Sequence, residues 1–112
     1  MAIKKLFAFI GLFGVVLSAF GAHYLKNKIS ETHIQTWTTA SFYLFIHVII
    51  GLYSSHFVAK KRSQYLFLWG ILFFSGSLYV LALTNITMFG LITPIGGILF
   101  ILGWLFLALD LK

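Results

Sequence analysis

The chain has 112 residues, 61% hydrophobic and 9% charged, with a formal net charge of +6 and a mean hydropathy of +1.02. A water-soluble domain this small has too much surface to be so apolar, so the composition places the chain in the membrane class. Cysteine is absent, which excludes disulfides and thiolate chemistry, and the positive charges sit in small groups at the ends of apolar runs, as topology signals do and nucleic-acid-binding patches do not.

A membrane-crossing helix needs about 20 apolar residues, at ~1.5 Å rise each across a ~30 Å hydrocarbon core. Four stretches qualify, 6–25, 38–59, 65–84 and 91–109, so residues 1–112 read as one four-span domain. The runs are continuously apolar without period-2 alternation, which excludes a β-barrel and leaves helices that satisfy their own backbone hydrogen bonds. Short connections make consecutive helices antiparallel neighbours. The fold class is therefore an all-α membrane protein, a four-transmembrane-helix antiparallel bundle. Lys4, Lys5, Lys60, Lys61, Arg62 and Lys112 fall on one side of it and Lys26 and Lys28 on the other, which predicts both termini in the cytoplasm.

The first span follows Lys4 and Lys5 and ends in small residues, Ser18-Ala19-Phe20-Gly21-Ala22, like a secretory signal. Its run of about 18 apolar residues is long for a signal's apolar region, so it is read as a retained helix. Gly11, Gly14, Ser18 and Ala22 line one side, and Tyr24 belongs at the outer boundary.

Ser30 followed by Glu31 predicts an N-cap with an acid in the first turn. The second helix then starts near Glu31, outside the bilayer, and enters it at Trp37. At ~100° per residue, Thr36, Ala40, Tyr43, His47, Gly51 and Ser54 form a narrow small and polar stripe, which faces the interior because polar groups in lipid are costly. His47 is the one ionisable group near the middle of a span, roughly 16 Å below the outer boundary. His56 falls on the opposite face near the cytoplasmic boundary. Lys60-Lys61-Arg62 reads as a topology signal, or as an anchor toward anionic head groups.

The third span carries small residues on two sides, Gly70, Ser77 and Thr84 on one and Ser75, Tyr79 and Ala82 on the other, so it is expected to touch two neighbours. Tyr65 and Trp69, with Trp104 of the fourth span, belong at the inner boundary. Thr93-Pro94-Ile95-Gly96-Gly97 opens the fourth helix. Pro94 is harmless in a first turn, whereas farther in it would free a carbonyl and kink the helix. The expected packing positions are Gly14, Ser18, Gly76, Gly96, Gly97 and Gly103.

Tyr43, His47, Ser75, Ser77, Tyr79 and Thr93 are expected to form a polar cluster in the middle and outer part of the bundle. His47 is expected to be neutral there, with Tyr and Ser hydroxyls as partners. The cluster reads either as a ligand site or as interhelical hydrogen bonds typically worth only ~0.6 kcal/mol each. No catalytic residue, metal site or cofactor is assigned. His23 and His33 lie too far from His47 to share a metal ion, Gly-x-Ser-x-Gly and Ser-x-x-Lys are missing, and no carboxylate lies within a span. The small multidrug-resistance exporters share the size and span count, but they work through a membrane-embedded glutamate that this chain lacks.

Five ordered motifs carry a resemblance: Gly21-Ala22-His23-x-Leu25, Trp37-x-x-Ala40-x-x-Tyr43-x-x-x-His47, Ser75-Gly76-Ser77-Leu78-Tyr79, Thr93-Pro94-Ile95-Gly96-Gly97 and Gly103-Trp104. Together they resemble the YgdD/YwdK-like small inner-membrane proteins, which have small eukaryotic transmembrane relatives. The resemblance implies a multi-pass protein of a bacterial inner membrane and supplies no catalytic role. Members often carry Gln directly after the tyrosine that matches Tyr43, where this chain has Leu44.

Three functions compete, of which an intramembrane enzyme is the weakest because no activated nucleophile or acid–base pair can be named. A non-enzymatic accessory or lipid-interacting bundle predicts a dry core with His47 bonded within the protein. A binder or carrier of a small or lipid-like molecule predicts an open pocket lined by Tyr43, His47, Ser75 and Tyr79. The expected partners are membrane lipids, with a second copy or another membrane protein as candidates, and not nucleic acid.

Overall fold

The computed structural model describes residues 2–112. Four helices are long and apolar enough to cross a membrane: α1 (Ile3–Leu25), α2 (Glu31–Ser54), α3 (Arg62–Thr84) and α4 (Met88–Asp110). At ~1.5 Å per residue each runs to about 35 Å, slightly more than the hydrocarbon core. They alternate in direction. One end of the bundle, here the terminal end, carries Ile3, Ser54, Arg62 and Asp110, and the other, the loop end, carries the α1–α2 and α3–α4 connections.

Local chemistry sets the helix ends. Ser30 caps α2 as expected, its hydroxyl accepting from the His33 N–H at 3.2 Å. α2 stops at Ser54, five residues short of the expected Ala59. There the Ser55 hydroxyl turns back onto the carbonyl of Leu52, and the chain leaves the helix through bonds from His56 N to Tyr53 O and Phe57 N to Ser54 O. His56 is therefore exposed in a linker and does not stand on a helix face. α3 ends at Asn85, which adopts the left-handed conformation at φ 56°. α4 begins at Met88, not near Leu91, so Pro94 lies inside the helix and removes the bond to the Gly90 carbonyl.

Neighbours in sequence are neighbours in space. α1 packs on α2, α2 on α3, and α3 on α4. The α1–α2 seam is a ladder of large residues facing glycines. Phe7 fills the gap over Gly51, Leu44 and Phe45 lie over Gly14, and Trp37 lies over Gly21. The steps are seven residues on each helix, in opposite directions, the repeat of an antiparallel coiled coil. The buried edge of α1 is thus Phe7, Gly14, Gly21 and Leu25; Ser18 stands beside it, and Ala22, expected on this side, is exposed. The α3–α4 seam repeats the device, pairing Phe67 with Gly103, Phe100 with Gly70, and the backbone of Phe74 with Gly96. Gly76 and Gly97 do not take part, since a Cβ on either would find no atom nearer than 4.0 Å.

Two helices contain a widened π-helical turn, Gly21–Leu25 in α1 and Ile71–Gly76 in α3. A π turn holds one residue more than an α turn, so the face presented shifts along the helix. In α3 this bulge leads into the stretch where Ser75 and Tyr79 meet α2 while Ser77 meets α4.

Candidate functional site

The expected polar cluster is not one site. Its members divide among three separate pins between helices. Ser75 Oγ donates to the Ala40 carbonyl at 2.8 Å, and Tyr79 OH bonds Ser41 Oγ at 2.7 Å, both joining α3 to α2. Ser77 Oγ bonds Thr93 Oγ1 at 2.6 Å and joins α3 to α4. Ser75 is 0% and Tyr79 8% exposed, so neither faces an open pocket. Tyr43 stands at the edge, with its ring 4.7 Å from that of Phe74 and part of its surface exposed.

His47 belongs to the third pin, and its partner is not a hydroxyl. Trp104 Nε1–H donates to His47 Nε2 at 3.1 Å, and His47 Nδ1 lies 2.7 Å from the Tyr43 carbonyl. An indole nitrogen only donates and a carbonyl only accepts. These two bonds fix the imidazole as the neutral Nδ1–H tautomer, with both nitrogens engaged. The ring stacks on Phe100 with centroids 3.6 Å apart and planes 8° from parallel, and Phe67 lies 5.4 Å away. His47 is 3% exposed in this aromatic block, where α2, α3 and α4 meet.

The block sits nearer the terminal end than expected. Because α2 ends at Ser54, His47 lies about 10 Å from the terminal end of its helix and about 24 Å from Glu31. Trp104, expected as a boundary anchor, is the donor that holds it. Trp37, also expected at a boundary, is 3% exposed; its Nε1–H donates to the Leu17 carbonyl at 2.7 Å and its ring packs edge-on to Tyr79. Gly21 permits this approach, because any Cβ there would meet the indole.

Ser18 Oγ is buried and has no hydrogen-bond partner. It borders a crevice of about 230 Å³ at the loop end of α1 and α2, with Gly21, Trp37, Thr38 and Ser41 on its walls.

At both ends polar side chains make cross-helix contacts that sequence reasoning missed. At the loop end His33 bridges the connections, its Nδ1 2.8 Å from Ser30 Oγ and its Nε2 3.0 Å from Asn85 Oδ1. At the terminal end Arg62 makes two bonds to Asp110, 2.9 Å from Nε and 2.6 Å from a terminal nitrogen, while its guanidinium covers the Phe106 ring. Arg62 is therefore tied to α4 and is not a free anchor beside Lys60 and Lys61. Gln64 is 1% exposed; its amide, turned so that NH₂ faces the Lys60 and Lys61 carbonyls at 3.2 Å, accepts from Ser54 Oγ at 3.0 Å. The 48-residue separation of Arg62 and Asp110 leaves no local signal, and Gln64 stands one residue before the expected span 65–84, where a polar residue draws no notice until the helix is seen to begin at Arg62.

Comparison with known proteins agrees with this architecture. Residues 17–97 match the model of a family described as "Protein of unknown function (DUF423)". The chain is 42% identical over 115 residues to the UPF0382 membrane protein SSP2132 of Staphylococcus saprophyticus, covering 94% of this chain and 95% of that one. It is 43% identical to the UPF0382 membrane protein SH2409 of Staphylococcus haemolyticus, covering 95% and 94%. It is 40% identical to the UPF0382 membrane protein YwdK of Bacillus subtilis, covering 93% and 94%. No solved structure matches the chain.

Proposed function

Since this chain belongs to the DUF423 family, whose members similar to it are membrane proteins, we propose that it is a non-enzymatic accessory bundle of a bacterial cell membrane, acting through its lipid- and partner-facing surfaces. The observation that carries this reading is the state of His47. Both ring nitrogens are spent within the protein and the ring is sealed between aromatic faces, so it is neither a free base nor a ligand waiting for a metal. Ser75, Ser77, Tyr79 and Thr93 are spent in the same way, on other helices.

Reconstituted protein is expected to leave vesicles as tight to protons and potassium as protein-free vesicles, and His47→Phe is expected to leave that tightness unchanged. A flux above the protein-free level that His47→Phe abolishes would overturn the reading.

We place both termini in the cytoplasm, supported by the six Lys and Arg residues at the terminal end against two at the loop end. The chain has no cysteine, so single replacements report cleanly. In intact cells a membrane-impermeant maleimide is expected to label Asn27→Cys and Ile86→Cys, and to reach Lys112→Cys only after permeabilisation. The inverse pattern would reverse the topology.

A further inference from the structure

We propose that the seam between α1 and α3 is a binding site for one anionic phospholipid. This deepens the lipid-interacting reading above and rests on it.

Two cavities lie end to end along this seam. The first, about 380 Å³ at the terminal end, is bordered by Lys4 of α1, by Ser55, Val58 and Lys61 of the α2–α3 linker, and by Gln64. The second, about 310 Å³, is an apolar groove walled by Leu6 and Ile10 of α1 and by Tyr65, Leu68, Trp69 and Leu72 of α3. Ile3, Leu6 and Ile10 recur at helical spacing on one face of α1, as Gln64, Leu68 and Leu72 do on α3, so the two cavities follow one another along the same pair of faces. The groove exists because α1 spends its glycine ladder on α2 and does not close against α3.

Charge identifies the occupant. Lys4 and Lys61 border the first cavity, and the chain holds two acidic side chains. Glu31 opens α2 at the opposite end, and Asp110 is committed to Arg62. No side-chain carboxylate answers the two ammonium groups, so the complementary group is an anion at head-group depth. The apolar groove directly beneath it runs for about two helical turns, roughly 10 Å, and suits the first half of an acyl chain. Tyr65 and Trp69 are 52% and 53% exposed along its rim, where amphipathic rings meet head groups. A molecule with a phosphate above and an alkyl chain below satisfies both cavities; a soluble phosphate satisfies only the first.

The test titrates the delipidated full-length protein with phosphatidylglycerol or phosphatidylcholine of matched chains, reading bound lipid by native mass spectrometry. Wild type is expected to hold one phosphatidylglycerol in preference to phosphatidylcholine. Lys4→Gln with Lys61→Gln is expected to weaken phosphatidylglycerol about 30-fold, since each lysine near an anionic surface contributes about one step of five- to sixfold. Lys26→Gln with Lys28→Gln removes the same charge at the loop end and is expected to change binding less than twofold. Leu68→Trp, which fills the groove without changing charge, is expected to lower binding of both lipids. Equal affinity of wild type for the two lipids would overturn the proposal, as would equal losses in the two double variants. Either result leaves the flux measurements, and hence the non-enzymatic reading, untouched.

Discussion

Gly96→Ala is expected to destabilise the bundle by at least about 2 kcal/mol, whereas Gly97→Ala and Gly76→Ala are expected to be neutral or to gain up to about 1 kcal/mol from better helix propensity. A Cβ at Gly96 runs into the backbone nitrogen and Cα of Phe74, so no rotamer change relieves it and α3 and α4 must separate. The methyl at Gly97 or Gly76 would meet nothing nearer than 4.0 Å. Unfolding in mixed micelles, followed by circular dichroism as a denaturing detergent is titrated in, measures the three variants side by side. Equal stabilities for Gly96→Ala and Gly97→Ala would show that the helices do not meet at this point.

Trp37→Ala is expected to cost about 3–5 kcal/mol, the range for deleting a large buried aromatic side chain. The indole bridges three elements at once. It covers Gly21, bonds the Leu17 carbonyl, and packs against Tyr79 of α3. Trp37→Phe is expected to cost about 1 kcal/mol, the worth of one hydrogen bond, because the Leu17 carbonyl keeps its bond from the Gly21 N–H. Since α1 is held chiefly by α2, the loss should be local. Hydrogen exchange is expected to rise over Leu17–Leu25 and to stay low at Ser75–Tyr79. Uniform acceleration across all four helices would mean that α1 is not a separable unit.

The spans and their order were legible because hydropathy adds up along a continuous run and short connections leave only one way to turn. The Ser30 cap was legible for the same reason: every group it needs lies within three residues. The two faces of α3 could be read from Gly70 and Ser77 against Ser75 and Tyr79, since a helix with two small sides has two neighbours to meet. The end of α2 was not legible. Residues 55–59 are apolar enough to prolong a span, and where the helix stops the Ser55 hydroxyl bonds backwards to Leu52 while that of Ser54 goes to Gln64 on the next helix.

The inward stripe of α2 was read correctly at His47 and assigned the wrong partner. Sequence places tryptophans by their distance from a span's end and so sends Trp37 and Trp104 to the boundaries. Where each ring turns depends on another helix, on Gly21 facing Trp37 and on His47 facing Trp104. The same blindness hid the ladders. A glycine is recognisable in one helix, but whether it receives a phenylalanine, a backbone or only open space is decided by the helix across from it. That is why Gly96 and Gly97, adjacent in sequence, behave so differently.

The neighbour-to-neighbour packing has a consequence for biogenesis. Spans leave the ribosome one at a time, and three of the seams need only the helix just made and the one before it. α1 can close on α2 before α3 is translated, and α3 on α2 before α4 is. The contacts of His47 with Phe100 and Trp104 are the exception, because they join α2 to α4; the bond to Trp104 spans 57 residues and its donor lies six residues from the end of the last helix. Until that span arrives, the Nε2 of His47 lacks the donor that later holds it. The histidine is thus the latch of the assembly, fastened only when synthesis of the bundle is complete.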